Sequence, residues 1–247
     1  MAKTCLITGA SRGIGKALAL AMAKKGYLLA LTGRDQAQLH SVRDEIIAQL
    51  PSAHVETRML DITDYDQVGA VVDGFETSLG GLDVVVANAG ISVSKPIGVG
   101  GFKEHQAVIE TNVLGLMATA EAVLPYFKER NAGQFVAVSS VAAFRGLPKH
   151  SSYCASKVAV KSYMESLSAE LLGSGILTTT LFPGYIDTDI NRHMVNRPFL
   201  ISAEEGAKQM LVLIEKGVKT STVPKKPWSV VSQMMKAVPE SVIAKMS

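Results

Sequence analysis

Cysteine is scarce in this chain, and so are tryptophan, long apolar runs and blocks of charge. Two cysteines, Cys5 and Cys154, stand among 247 residues. They offer no paired framework, which excludes a disulfide scaffold and fits a reducing compartment. No run of about 18 apolar residues occurs, so no membrane-spanning helix is expected. The N-terminus MAKTCLITGA has one lysine and a very short apolar run before a glycine-rich turn, which is no signal peptide. A cytoplasmic location is the expectation. The net charge is +3, and the densest basic cluster is Lys225-Lys226. Nucleic-acid binding through a basic surface is therefore not expected. The histidines at 40, 54, 105, 150 and 193 are scattered without ligand spacing, and no catalytic metal is expected.

What the chain has is an apolar fraction of 47%, enough for one well-buried core. Short β-branched or apolar runs alternate with longer helical periods. Strands are expected at 3–8, 27–33, 54–60, 82–88, 133–140 and 175–182, with a further short one at 220–223. Helices are expected at 14–25, 36–49, 64–78, 103–130, 152–172 and 203–216. The strand runs are near-continuously apolar rather than alternating, as in a parallel sheet covered on both faces. The fold class is α/β, a doubly wound Rossmann-type open parallel sheet with helices on both sides. No repeat, low-complexity tract or linker divides residues 1–247, which read as one domain.

The segment TGASRGIG (8–15) follows the first strand and opens the first helix. Gly9, Gly13 and Gly15 stand where a tight turn lets a pyrophosphate approach the backbone, beside the free N–H groups of a helix N-terminus. The spacing is G-x-x-x-G-x-G, and a tight turn without a ligand is the plain alternative. Its place at the first strand–helix junction favours a dinucleotide site. The second strand ends LTGRD. Gly33 takes the position where an acid would hold the ribose 2′-hydroxyl, Arg34 follows, and Arg12 lies in the glycine loop. Two arginines without an acid favour NADP(H) over NAD(H), with Asp35 read as a helix cap. The alternative, two solvated surface arginines, remains open at this level.

Tyr153 and Lys157 lie four apart in SSYCASKVAVKSY (151–163), hence on one helical face. Alone, such a pair is ordinary helix surface. Cys154 beside it has no histidine positioned as a partner and reads as a small buried thiol. Tyr163, ten residues on, reads as packing.

The elements TGASRGIG (8–15), LDIT (60–63), NAG (88–90), TNV (111–113), VSSVAA (138–143), YCASK (153–157) and PGYIDT (183–188) occur in an order that resembles the short-chain dehydrogenase/reductase family. The resemblance covers roughly residues 3–190. It implies a seven-stranded parallel sheet and NAD(P)(H)-linked interconversion of alcohols and carbonyls. It matches Asn112, Ser140, Tyr153 and Lys157 to the family's catalytic four; Ser140 is chosen over Ser139 because the family's serine lies thirteen residues before its tyrosine. It implies that Asp61 contacts the adenine ring, that Asn88 begins a turn beside the cofactor, and that Thr188 touches the nicotinamide carboxamide beyond the Pro183-Gly184 turn. Ser11, Ile14, Ile62, Ala89, Gly90 and Ile186 complete the implied cofactor path, together with Tyr153 and Lys157 themselves. A neighbouring ammonium lowers a phenol's pKa, so Lys157 is expected to bring Tyr153 into range for proton transfer. Ser140 would hold the carbonyl oxygen, and Asn112, by resemblance, a water that relays protons to Lys157.

The segment 184–202 is expected to be a partly helical substrate-site lid, with 92–98 and 141–150 as the other walls. Val141, Ala142, Phe144 and Leu147 make that side apolar and favour a lipophilic or medium-sized small-molecule carbonyl or alcohol. The tail, 224–247, departs from the glycine-rich ending of many family members. That leaves a homodimer through the helices at 103–130 and 152–172 as the expected assembly, with a tetramer possible. Trp228, Val231, Met235 and Val238 fall at helical spacing, with Lys236 and Lys245 near the apolar face. Three resting places stay open for the tail: its own core, the site of a partner subunit, or a membrane surface. A non-catalytic NADP(H)-binding protein is the rival reading, since this fold hosts both.

Overall fold

The computed structural model describes residues 2–192 and 194–244; His193 and Lys245 lie outside the described residues. Seven parallel strands form one sheet: β1 Thr4–Ile7, β2 Leu28–Gly33, β3 Val55–Met59, β4 Val84–Ala87, β5 Gly133–Val138, β6 Ile176–Pro183 and β7 Thr220–Val223. Their order is β3-β2-β1-β4-β5-β6-β7, parallel throughout. Side chains alternate across each strand. In β1, Cys5 and Ile7 enter one core while Leu6 enters the other.

The first core lies under α1 (Gly13–Ala23), α2 (Gln36–Gln49) and α7 (Ala203–Glu215), where Leu18, Met22, Leu39, Ile46 and Met210 are buried. The second lies under α3 (Tyr65–Leu79), α5 (Gly115–Arg130) and α6 (Ser151–Glu170), around Phe75, Phe127, Phe135 and Met164. This two-sided burial is why the inner strands β1, β2, β4 and β5 carry almost no polar alternation, whereas the partly buried edge strand β3 does. The strand order reverses between β1 and β4, which opens a crevice at their carboxyl ends. The glycine loop leaves β1 there and Asn88 leaves β4.

Two features differ from the sequence expectation, and a third, the tail, takes one of the resting places left open. The run expected as one helix over 103–130 comprises α4 (Phe102–Ile109), a π turn at Glu110–Leu114 and α5. By length and hydropathy this run could span a membrane, but just over half of its apolar window is buried, and Leu116, Val123 and Phe127 pack into the second core. The lid contains turns and no helix among the described residues. Its side chains bond to local backbone and to each other: Asn191 Nδ2 donates to the Ile186 carbonyl at 2.8 Å, and Arg197 pairs with Asp187 at 2.7 Å. Such local bonds compete with helix formation. The lid's base is closed by a parallel bridge between Ile186 and Ile201. The tail forms α8 (Trp228–Met235) and α9 (Glu240–Ile243). It rests on its own chain, with Trp228 and Ile243 buried.

Candidate active site

A cleft of about 410 Å³ runs along the carboxyl ends of β1, β2, β4, β5 and β6. That volume suits a small-molecule or cofactor site. The residues expected to hold the cofactor and carry the chemistry line it, except Gly15 and Asn112, which stand one layer behind; none of the residues in the segments expected as substrate walls, 92–98 and 141–150, does.

The glycine loop is shaped for close approach. Gly9 has φ +65°, and a Cβ there would lie 2.8 Å from the Ala89 Cα. A Cβ on Gly15 would overlap the Gly9 carbonyl oxygen and Asn88 Nδ2. Gly15 therefore serves packing of α1 against the loop rather than contact with a ligand. Asn88 Nδ2 donates to the carbonyls of Thr8 (2.9 Å) and Gly9 (3.1 Å). The N–H groups of Asn88 and Ala89 both donate to Thr8 Oγ1. The Asn88 side chain thus staples the two halves of the crevice instead of pointing at the cofactor path. Thr8, which shares that staple, had no distinguishing mark in the sequence. The loop delivers the amino end of α1 to the cleft, a setting that favours an anion.

At one end of the cleft, Gly33 ends β2, and Arg34, Arg12 and Asp61 follow around the rim. Asp35 caps α2, accepting from Gln38 N at 3.0 Å and from Gln38 Nε2 at 2.9 Å. Burial works against ionisation of Asp61. Two hydrogen bonds from Thr63 and the charge of Arg34 outweigh it and hold the carboxyl below its usual range. Both arginines are exposed, and Arg12 lies 4.0 Å from Asp189 of the lid.

At the other end, Ser140, Tyr153 and Lys157 converge. Ser140 follows β5 and caps the 3-10 turn Val141–Ala143, its Oγ accepting from Ala142 N at 3.1 Å. The same hydroxyl donates to the Pro183 carbonyl at 3.4 Å and lies near enough to the Tyr153 phenol to influence its ionisation. Ser139 turns away, donating to the Lys157 carbonyl at 3.0 Å. Lys157 is buried, with Nζ donating to the Val138 carbonyl at 2.9 Å and standing 5.6 Å from the centre of the Tyr153 ring. Burial pushes Lys157 down to about 8. Burial also pushes the Tyr153 phenol up, and the nearby Ser140 hydroxyl only partly offsets this. The expected lowering of Tyr153 by Lys157 is therefore not realised in this arrangement, because the ammonium bonds a backbone carbonyl. Cys154 is buried, and burial raises its thiol, which makes a thiolate nucleophile unfavourable there. Tyr163 packs against the second core.

Asn112 sits in the π turn. Its Oδ1 accepts from Ile91 N at 2.8 Å, and its Nδ2 donates to the Ile91 carbonyl (2.9 Å) and to Ser156 Oγ (3.0 Å). Both amide hydrogens are used, which leaves one lone pair of Oδ1. Ser156 in turn donates to the Tyr153 carbonyl at 2.7 Å. Ser156 and Ile91 carry this linkage, and neither stood out in the sequence. The segments 92–98 and 141–150, expected as walls, are tied together by Lys95 N donating to the Lys149 carbonyl at 2.7 Å.

The short chain dehydrogenase family matches residues 3–198. The chain belongs to this family of oxidoreductases, which bind a nicotinamide cofactor. It is 38% identical over 209 residues to an uncharacterized oxidoreductase of Myxococcus xanthus, covering 84% of this chain and 82% of that one. An alcohol dehydrogenase from the archaeon Thermococcus sibiricus, complexed with 5-hydroxy-NADP, superimposes with a TM-score of 0.81 at 29% identity, over 90% of this chain and 95% of that one. A short-chain dehydrogenase/reductase from Burkholderia phymatum in complex with NAD shares the fold, with a TM-score of 0.87 at 22% identity over 100% of this chain and 96% of that one.

Proposed function

We propose that the chain is an NADP(H)-dependent oxidoreductase that interconverts a carbonyl with a primary or secondary alcohol, using Tyr153 as the acid/base. The observation that carries this reading is the convergence of Ser140, Tyr153 and Lys157 at one end of a cleft whose middle is a glycine loop and helix amino end, with Lys157 Nζ 5.6 Å from the centre of the Tyr153 ring. The cradle fits a dinucleotide: the backbone at Gly9 has no room for a side chain, and Thr188, Pro183 and Asn88–Gly90 border the same cleft.

When bound, the nicotinamide gives hydride to the carbonyl carbon or takes it from the alcohol. The chain's residues handle the oxygen. In reduction, the Tyr153 phenol donates its proton to the carbonyl oxygen, and its raised pKa keeps it in the protonated form that this step needs. Ser140 holds the same oxygen and stabilises charge developing on it. Lys157, charged below about 8, compensates the phenolate left behind once its ammonium turns from the Val138 carbonyl toward the phenol. Asn112 and Ser156 fix the backbone of Tyr153, and the free lone pair of Asn112 Oδ1 is where a relaying water would be held. Val141, Ala142, Phe144 and Leu147 follow Ser140 just beyond the lining of the cleft; read as the apolar side of the substrate site, they support a lipophilic or medium-sized substrate. Exposed Leu114 and Val158, on the 110–130 run and α6, support a homodimer through those helices.

The solved neighbours carry either an NADP derivative or NAD, so cofactor choice rests on this chain's own residues. Arg12 and Arg34 border the adenosine end, and the one carboxylate directly after Arg34 is engaged as a helix cap. Charge-assisted contacts to a 2′-phosphate, discounted for exposure, should make NADPH bind about tenfold or more tighter than NADH. Arg34→Ala should remove most of that difference while leaving NADH affinity unchanged. Titration by cofactor fluorescence reads both constants, and equal affinity in the wild type would remove the role given to the arginines.

A further inference from the structure

The chain's single tryptophan occupies a slot beside the nicotinamide turn. Gly184 follows Pro183 at the end of β6 and lines the cleft. A Cβ on Gly184 would overlap the Nε1, Cε2 and Cδ1 atoms of Trp228, so the indole fills the space that a side chain would take. Trp228 is buried, yet its Nε1 has no hydrogen-bond acceptor. Shape, not a polar bond, holds it there. The ring stands 5.9 Å from Tyr185 and 5.7 Å, edge-on, from Phe199. Tyr185 is the residue after Gly184, near enough to Tyr153 to raise its phenol slightly, behind the larger effect of burial. Phe199 lies at the far end of the lid.

Two further contacts carry the same tail to the opposite wall. Lys236 Nζ lies 5.5 Å over the Phe144 ring, and Arg145 Nη2 donates to the Val238 carbonyl at 2.9 Å. The segment 228–238 therefore straps the β6 side of the cleft to the loop that follows Ser140.

We propose that Trp228 is a positioning residue: keyed against Gly184, it fixes Tyr185 and Phe199 as an aromatic wall of the substrate site within the same chain, a wall that selects carbonyl substrates bearing a flat ring. Aromatic neighbours at these separations favour tilted or edge-on packing, and a planar ring on the substrate extends the same stack. This rests on the oxidoreductase reading for its substrate, but the placement of the indole can be read without turnover.

The experiment begins with the protein free of cofactor. Emission of the wild type should be blue-shifted and poorly quenched by acrylamide. Gly184→Ala should shift it to the red and raise the quenching constant several-fold, because the new methyl expels the indole. Met234→Ala, on the exposed side of the same helix, should change neither. Kinetics then use a matched pair, 1-phenyl-1,2-propanedione and 2,3-butanedione. Trp228→Ala should raise KM for the ring-bearing dione about tenfold relative to the small one, with a smaller change in kcat. Trp228→Phe should restore most of this, since no hydrogen bond is lost. In the double variant Gly184→Ala/Trp228→Ala the methyl has room, so thermal stability and KM should match those of Trp228→Ala alone. Wild-type fluorescence in Gly184→Ala, additive losses in the double variant, or equal KM changes for the two diones would overturn the proposal. If neither dione is turned over, the fluorescence and the stability cycle still decide the placement, and it is the oxidoreductase reading that fails.

Discussion

Replacing Tyr153 by phenylalanine should leave cofactor binding intact and cut turnover by about 10²–10⁴-fold, the range supplied by a positioned acid/base group. The ring would remain in the cleft, stacked as before near Lys157, because the variant removes one oxygen only. What disappears is the proton donor, while the Ser140 hydroxyl keeps its bond to the Pro183 carbonyl. Ser140→Ala should be milder, since it removes a hydrogen bond to the oxygen rather than the proton source. Stopped-flow measurement of cofactor binding, alongside steady-state rates, separates the two effects. Wild-type kcat in the phenylalanine variant would contradict the assignment of the acid/base.

Lys157→Met should do two things at once: abolish turnover and raise stability. Burial pushes Lys157 from 10.5 to about 8, which means that the folded state carries a charged group at a cost. The sign follows from the proton count. Below about 8 both folded and unfolded chains hold the proton, and the folded chain bears the full burial penalty. Between about 8 and 10.5 the folded chain sheds the proton while the unfolded chain keeps it, so this group's contribution improves as pH rises. The penalty at neutral pH is about 3 kcal/mol, from which about 1 kcal/mol is lost with the bond to the Val138 carbonyl. The methionine variant should therefore be about 2 kcal/mol more stable at pH 7, roughly 5 °C in melting temperature. Its advantage should shrink as pH rises from 8 toward 10. Comparing the two proteins at each pH cancels the titration of Cys5 and Tyr27, whose thiol and phenol are also raised by burial. An advantage that grew with pH would reverse the sign of the Lys157 account. The same titration makes reductive turnover fall as pH passes about 8, where Lys157 loses the charge that compensates a phenolate.

The sheet was legible because burial on both faces writes long apolar runs into the sequence. Each of β1 to β7 lies at the position its run marks, trimmed by a residue or two at most ends. The glycine loop was legible because Gly9 must reach a positive φ beside Ala89, and the helix that follows has its own period. The π turn at Glu110–Leu114 was not. It adds one residue to a helical turn, and no proline or glycine inside ETNVL marks the place. The lack of helix among the described residues of 184–202 was equally hidden, because their form is set by Asp187, Asn191 and Arg197 meeting across ten residues.

Within the site, side-chain type was legible and side-chain partner was not. Asn112 was marked by its motif, yet its bonds to Ile91 and Ser156 depend on how the π turn sets it against the strand end and α6. Lys157 was expected to act on Tyr153 directly, but tertiary packing gives its ammonium to the Val138 carbonyl. Trp228 carried helical spacing and nothing more. Only the fold brings it against Gly184, some forty residues earlier in the chain.

The central claim is that this cleft performs NADPH-linked carbonyl chemistry through Tyr153. The most direct test is a panel of ketones, aldehydes and diones incubated with enzyme and NADPH, read by loss of absorbance of the reduced cofactor, with the Tyr153→Phe protein run in parallel. The account predicts oxidation of NADPH by at least one lipophilic or medium-sized carbonyl in the wild type and almost none in the variant. NADPH that binds but is consumed with no carbonyl in the panel, or is consumed equally by both proteins, would contradict it.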